Sequence, residues 1–267
     1  MSAFITDISE GIATITLNRP QTLNALTTED YNELADALRD INDRKDVLVT
    51  IWQAHGRWFC AGTNVNERKV DYSTLTVRQA FLSNVAHTAT VCGHALSSHT
   101  KILVAALNGP VMGIAAAFLG HFDFIYCLPN TFLATPFTFL GIVAEAGSSV
   151  NFVNKMGLAT ANEVLLWGSK KTSQELLKCG FVNQIFPDQS VDSFHAAVRK
   201  QVLGELRGLD PVALLEVKRL IGAGLKDKND PDAVNLRESF AQAARFASGI
   251  PYERFSKIFR KEIKHKL

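Results

Sequence analysis

Apolar positions along the chain change period several times, and each change marks an element. Residues 11–18 alternate, with Ala13, Ile15 and Leu17 on one side, and Arg19-Pro20 closes the run; this is the pattern of a strand. Thr27-Thr28-Glu29-Asp30 then opens a helix, with Thr27 at the cap and Asp30 three residues on. Tyr31, Leu34, Leu38 and Ile41 follow as its apolar stripe. Residues 47–54 form a β-branched run suited to a buried parallel strand, ended by His55-Gly56. Strand, helix, strand in that order predicts a right-handed crossover. A polar loop over 66–76 and a long amphipathic helix near 77–97 come next.

The second half of the core repeats the scheme. Residues 102–107 read as a buried strand and lead into Asn108-Gly109-Pro110, then into a helix from Gly113 to Leu119 that is apolar all round and so must be buried. Strands are predicted at 122–127 and 131–134, and one α/β core through about residue 190. Beyond Val191 only helical patterns remain. Phe194, Val198, Val202 and Leu206 mark one; Val212, Leu215, Val217 and Ile221 a second; Leu236, Phe240, Ala243 and Phe246 a third; Phe255, Phe259 and Ile263 the last. The expected organisation is a core over 1–190 and a helical region over 191–267, which packs on the core or on a neighbouring subunit.

Composition narrows the partners. A hydrophobic content of 47% over 267 residues is ample for a large core, and a net charge of +2 with mixed signs gives no reason to expect nucleic acid. Cys60, Cys92, Cys127 and Cys179 are scattered, with no paired spacing, so reduced thiols in an intracellular compartment are expected. His87, His94 and His99 lie on or beside one helix without a carboxylate between them, and no metal is expected. No stretch reaches the length of a membrane span. His265-Lys266-Leu267 has the form of a peroxisomal address read by an import receptor, set against a plain basic helix end.

Chemistry gathers in three places. Glu145 is the one charge between Asp123 and Lys155. A carboxylate in apolar surroundings loses hydration and exchanges protons nearer neutrality. The small residues Ala146, Gly147, Ser148 and Ser149 leave room for a ligand and can open a helix with outward amides, although a solvated glutamate in a first helical turn is the ordinary alternative. Phe59-Cys60-Ala61-Gly62-Thr63-Asn64-Val65 suggests a backbone that lies close to something, since glycine permits that approach. The turn at Gly113 places amides at the carboxyl end of a strand, where open α/β folds bind ligands.

Taken together with Leu17-Asn18-Arg19-Pro20 and Leu23-Asn24-Ala25-Leu26, these motifs resemble the crotonase, or enoyl-CoA hydratase/isomerase, superfamily over nearly the whole chain, and most of all the fungal peroxisomal enoyl-CoA isomerases. The resemblance implies a ββα spiral core with a C-terminal helical trimerisation region, a homotrimer or dimer of trimers, and an acyl-CoA substrate with no separate cofactor. It implies that the backbone amides of Thr63 and Ile114 hold the thioester oxygen. Ala25, Ala61, Gly62, Thr63, Asn64, Val65, Gly113 and Ile114 match the substrate-binding positions, with Thr63-Asn64 replacing the more usual alanine-aspartate. The two hydratase acids would fall at Ala117 and Phe137, neither of which can activate water. Glu145 falls where the isomerases keep one catalytic acid. That count implies a 3-enoyl-CoA to trans-2-enoyl-CoA isomerase of fatty-acid β-oxidation. A dienoyl-CoA isomerase, a peroxisomal hydratase, a thioesterase and a non-catalytic CoA-binding subunit are the alternatives. Lys257, Arg260 and Lys261 are candidates for CoA phosphates or a solvated basic face.

Overall fold

In the computed structural model, residues 3–64 and 72–265 are described. The chain opens with a strand that the alternation at its start did not announce, β1 (Phe4–Ser9), which pairs antiparallel with β2 (Ile12–Leu17). Then come α1 (Thr28–Asp43) and β3 (Val49–Ala54), parallel to β2 in the register Ile12 to Val49 through Leu17 to Ala54. The start of α1 is a capping box: Thr27 accepts from the Asp30 amide, and Asp30 accepts from the Thr27 amide at 2.7 Å, a motif worth about 1 kcal/mol. Asp30 also receives Arg19 in a two-pronged ion pair, at 2.7 and 3.1 Å, which ties the loop after β2 to the helix.

The amphipathic stretch at 77–97 is one continuous helical rod. It starts as α2 (Val77–Ala80), widens into a π-helical segment over Phe81–Thr90 and ends as α3 (Val91–Ser97). Then follow β4 (Ile102–Leu107), β5 (Val111–Met112), α4 (Gly113–Phe118), β6 (Phe124–Cys127) and β7 (Phe132–Ala134). The order continues with α5 (Ser148–Leu165), β8 (Lys171–Thr172), α6 (Ser173–Lys178), β9 (Gln184–Ile185), α7 (Val191–Leu206), α8 (Pro211–Lys228), α9 (Pro231–Ala247) and α10 (Ile250–Phe259).

The main sheet runs β1-β2-β3-β4-β6-β9, parallel from β2 onward, and a small sheet runs β5-β7-β8. Alternation divides the main sheet into two faces. Ile12, Val49, Ile51, Val104 and Ala106 point one way and pack under Phe194, Val198 and Val202 of α7. Leu17, Trp52, Ala54, Ala105 and Leu107 point the other way, into the larger core shared with α1, α4 and α5. Because β3 and β4 are parallel neighbours, the loops leaving them emerge side by side at one edge. That edge holds the candidate site.

The terminal helices differ in what they bury. Helix α8 buries none of its residues, and Val212, Val217, Leu220, Ile221 and Leu225 are all more than half exposed. Helix α9 faces inward with an unexpected set. Of its sequence stripe, Ala243 and Phe246 are buried, but Leu236 and Phe240 are close to half exposed. Its buried face carries Asn235, Glu238, Ser239 and Gln242 instead. Helix α9 lies along the 77–97 rod: Asn235 Nδ2 donates to the Thr90 carbonyl at 2.9 Å, Thr90 Oγ1 donates to Ser239 Oγ at 2.8 Å, and Phe81 stacks on Phe240. Gly93 leaves the room, since a Cβ there would stand 2.7 Å from Asn235 Nδ2. A Gly93→Ala substitution is therefore expected to destabilise the chain by about 1–3 kcal/mol, read as a lowered denaturant midpoint.

Candidate active site

The loop after β3 is fastened on both sides before it reaches Thr63. Asn24 donates to the carbonyls of His55 (2.8 Å) and Trp58 (3.0 Å) and accepts from the Arg19 amide (2.8 Å). Cys60 bridges to Val111 and its thiol donates to the Asn24 carbonyl; Thr63 bridges to Leu26. The Gly62 carbonyl accepts from the Leu26 amide and the Leu26 carbonyl accepts from the Asn64 amide, both at 2.8 Å. A bridge of this kind consumes the groups on either side of Thr63 and leaves its own N–H aimed the other way. The Thr63 hydroxyl meets Tyr31 at 2.6 Å, which fixes the residue from α1.

Ile114 is the second amide. It stands in the first turn of α4, whose N-terminus has no side-chain cap, so its N–H lacks a partner within the helix. Among the described residues neither the Thr63 nor the Ile114 amide is given to a protein acceptor. The two loops touch: Gly62 (φ +86°) and Gly113 (φ +60°) face each other, and a Cβ on Gly62 would meet the Met112 carbonyl oxygen at 2.9 Å. Only a residue without a side chain permits both that approach and that backbone conformation.

Beside this pair lies a cavity of about 640 Å³, lined by Ala61, Gly62, Thr63, Gly113, Ile114 and Glu145 with an apolar wall of Phe137, Phe139, Leu140 and Ile142. Its size suits a small-molecule pocket. Phe255, Ile258, Lys261, Ile263, Lys264 and His265 close its outer side. Thus six of the sequence-derived site residues, including Glu145, come together. Ala25 and Asn64 are half-buried neighbours on the adjoining loop and do not line the cavity; Val65, Lys266 and Leu267 lie outside the described residues. Val143, expected in the wall, does not line the cavity and instead gives its amide to Gln242, and Ala117 is buried inside α4. Lys257 and Arg260 pair with Glu253 and Glu262, whereas Lys261 reaches the cavity.

Glu145 is 7% exposed and is the one carboxylate among the described residues lining the cavity. Its Oε2 accepts from Gln242 Nε2 at 3.0 Å, and Gln242 Oε1 accepts from the Val143 amide at 3.1 Å, so the amide of Gln242 is held in one orientation. The turn that presents Glu145 is strained: Ala146 has φ +55°, ahead of Gly147 at +80°, a conformation that costs an ordinary residue about 1 kcal/mol or more. His121 supports it. Burial pulls the His121 pKa down to about 4, so the ring is neutral, and Nε2–H donates to the Ala146 carbonyl at 2.7 Å.

The small residues after Glu145 do open a helix, but its first amides are not free. Glu238 of α9 reaches them, taking the Gly147 amide at 2.6 Å on Oε2 and the Ser149 amide at 2.9 Å, with the Ser149 hydroxyl, on Oε1. A buried carboxylate thus caps α5 where a ligand was expected. Gln242, Glu238 and His121 all escape the sequence reading. The available signal was the recurrence of Asn235, Glu238, Ser239 and Gln242 at helical spacing, which reads equally well as a solvated face. Arg245 and Arg254 complete the support by donating to the carbonyls of Gly141 (2.7 Å) and Phe139 (2.9 Å), holding the cavity wall to the last two helices.

At this parallel-stranded edge, two unclaimed amides and one buried carboxylate line the same cavity. The chain belongs to the enoyl-CoA hydratase/isomerase family, whose model matches residues 7–246. It is 37% identical over 271 residues, and 96% of each chain, to a Delta(3,5)-Delta(2,4)-dienoyl-CoA isomerase of Pyricularia oryzae. It is 29% identical over 264 residues, covering 95% of this chain and 92% of the relative, to the 3,2-trans-enoyl-CoA isomerase of Saccharomyces cerevisiae. The crystal structure of an enoyl-CoA hydratase/isomerase from Pseudoalteromonas atlantica superposes with a TM-score of 0.82 at 28% identity, covering 99% of this chain and all of that one.

Burial raises the Glu238 carboxyl pKa above its ordinary 4.5, against hydrogen bonds from Ser149 and Gly147 that lower it. An acid whose folded pKa is the higher one adds stability below 4.5 and loses that addition as pH rises through the folded value. The stability advantage of wild type over Glu238→Gln should accordingly shrink as pH rises from 4.5, as read from urea midpoints at each pH. An advantage that grows with pH would mean the ionised form is the favoured one in the fold.

Proposed function

We propose that the chain is an enoyl-CoA isomerase that moves a β,γ double bond of a fatty acyl-CoA into conjugation with the thioester. The observation that carries this reading is Glu145, the single carboxylate among the described residues lining an apolar cavity beside the amides of Thr63 and Ile114. With its thioester oxygen on those two amides, the substrate's α carbon becomes acidic. Ionised Glu145 takes the α proton, the electron pair spreads into a dienolate whose negative oxygen the amides stabilise, and protonated Glu145 returns the proton to the γ carbon. Preorganised donors at such an oxygen supply about 3–4 kcal/mol each in a protease case. Phe137, Phe139 and Ile142 keep water from the dienolate. One carboxylate suffices because both protons can lie on one face.

A second reading is favoured by the 37% identity to a protein named as a dienoyl-CoA isomerase. Shifting two double bonds asks for proton exchange at more distant carbons, and Phe137 stands where that chemistry would be expected to keep a second acid. Lys261 and Lys264 at the outer side of the cavity suit the phosphates of a CoA thioester. The proposal includes a peroxisomal matrix location through His265-Lys266-Leu267. No described helix is long and apolar enough to cross a membrane. It also includes a homotrimer or dimer of trimers, supported by the uncovered apolar face of α8.

Conversion of a 3-enoyl-CoA and of a 3,5-dienoyl-CoA should be followed for wild type and Glu145→Gln, with hydration of the conjugated product in parallel. Isomerisation of the 3-enoyl-CoA is expected to fall about 1,000-fold in kcat in the variant, with KM little changed and no appreciable hydration in either. Preference for the dienoyl substrate would select the second reading, and full activity in Glu145→Gln would place the acid elsewhere. For the assembly, light scattering should give a multiple of three 29.3 kDa chains for wild type, with Ile221→Asp shifting the population toward monomer.

A further inference from the structure

On the sheet face away from the acyl cavity, three side chains far apart in sequence converge. His55 directly follows β3, while Asp192 and His195 stand three residues apart at the start of α7 and therefore share a helix face. One ligand atom from each, a ring nitrogen or a carboxylate oxygen, lies within 4.8 Å of the other two. None of the three lines the catalytic cavity.

The cluster has an unmet need. His195 is 9% exposed, and its Nε2 is buried without a hydrogen-bond partner. Buried polar atoms in native proteins are nearly always paired, so an orphaned imidazole nitrogen beside a second imidazole calls for an explanation. The ring centroids of His55 and His195 sit 6.0 Å apart with the rings tilted by 57°.

We propose that His55, Asp192 and His195 bind a divalent transition-metal ion, Zn²⁺ foremost, that fastens the start of α7 to the end of β3. Two imidazoles and one carboxylate favour Zn²⁺ over Mg²⁺ or Ca²⁺, which prefer all-oxygen shells. Zn²⁺ holds nitrogen at about 2.0–2.1 Å and carboxylate oxygen at about 2.0–2.2 Å, a contraction that side-chain rotation of His55 and the exposed Asp192 supplies. A fourth position stays open to water. None of the three residues lines the cavity that holds Glu145, and the role proposed for the ion is to join α7 to the end of β3.

The test uses the full chain, free of any affinity tag, stripped with a chelator and then given Zn²⁺ alone. Metal analysis after desalting should find one Zn²⁺ per chain, and Tm should rise by about 5 °C at Zn²⁺ about 100-fold above Kd, with Mg²⁺ giving neither. His55→Ala and Asp192→Asn, which alter incompletely buried residues, should each fold yet lose both the ion and the shift. Absence of stoichiometric uptake by wild type would overturn the proposal. So would uptake that survives in both variants, which would point instead to the exposed pair of His94 and Asp232, 2.7 Å apart.

Discussion

The buried Glu238 carboxyl of α9 ties the C-terminal helices to the segment that carries Glu145. It takes two backbone amides and one hydroxyl at the start of α5, immediately after the turn that carries Glu145. One helical turn further along α9, Gln242 reaches Glu145 itself. Two residues four apart on one helix therefore set both the position of the turn and the orientation of the acid. His121 and Ser148 add to this support, through the Ala146 carbonyl and the Glu145 amide.

The amide pair depends on a different constraint, the parallel pairing of β3 and β4. Parallel neighbours deliver their loops to the same edge, and the two bridges, Leu26 to Thr63 and Cys60 to Val111, then hold one loop between its neighbours. The motif residues Asn24 and Arg19 work here as clamps. They touch carbonyls, an amide and the Asp30 carboxylate, and they keep the Thr63 amide in register with Ile114. Asn24 and Arg19 thus help build the site without lining it.

Much of this was legible beforehand. The strand at residues 102–107, the capping box at Thr27 and the buried helix after Gly113 were all readable because each is encoded within one turn or one strand of neighbours. Glu145 and the two glycine-bearing loops stood out locally as an isolated charge and runs of small residues, whereas Thr63 and Ile114 were singled out only by the family resemblance. Strand β1 was less so, since Phe4–Ser9 buries only its first residue fully and shows no clean alternation. Helix α9 was read half correctly: Ala243 and Phe246 are buried, but α9 also docks on carbonyls, amides and the acid, so its inner face carries polar groups that hydrophobic periodicity does not mark, and Leu236 and Phe240 are close to half exposed.

Sequence alone determined the longer parallel strands, the main helices, the α/β class, the isolated charge at Glu145 and the two glycine-bearing loops, because each follows from periodicity, capping or glycine placed within a few residues. The fold decided which polar groups meet across the chain: Glu238 with the Gly147 and Ser149 amides, Gln242 with Glu145, and His55 with Asp192 and His195. Such pairings carry no periodic signature. A buried carboxylate and a solvated one look alike until packing removes the water from one of them and obliges it to find donors in the protein.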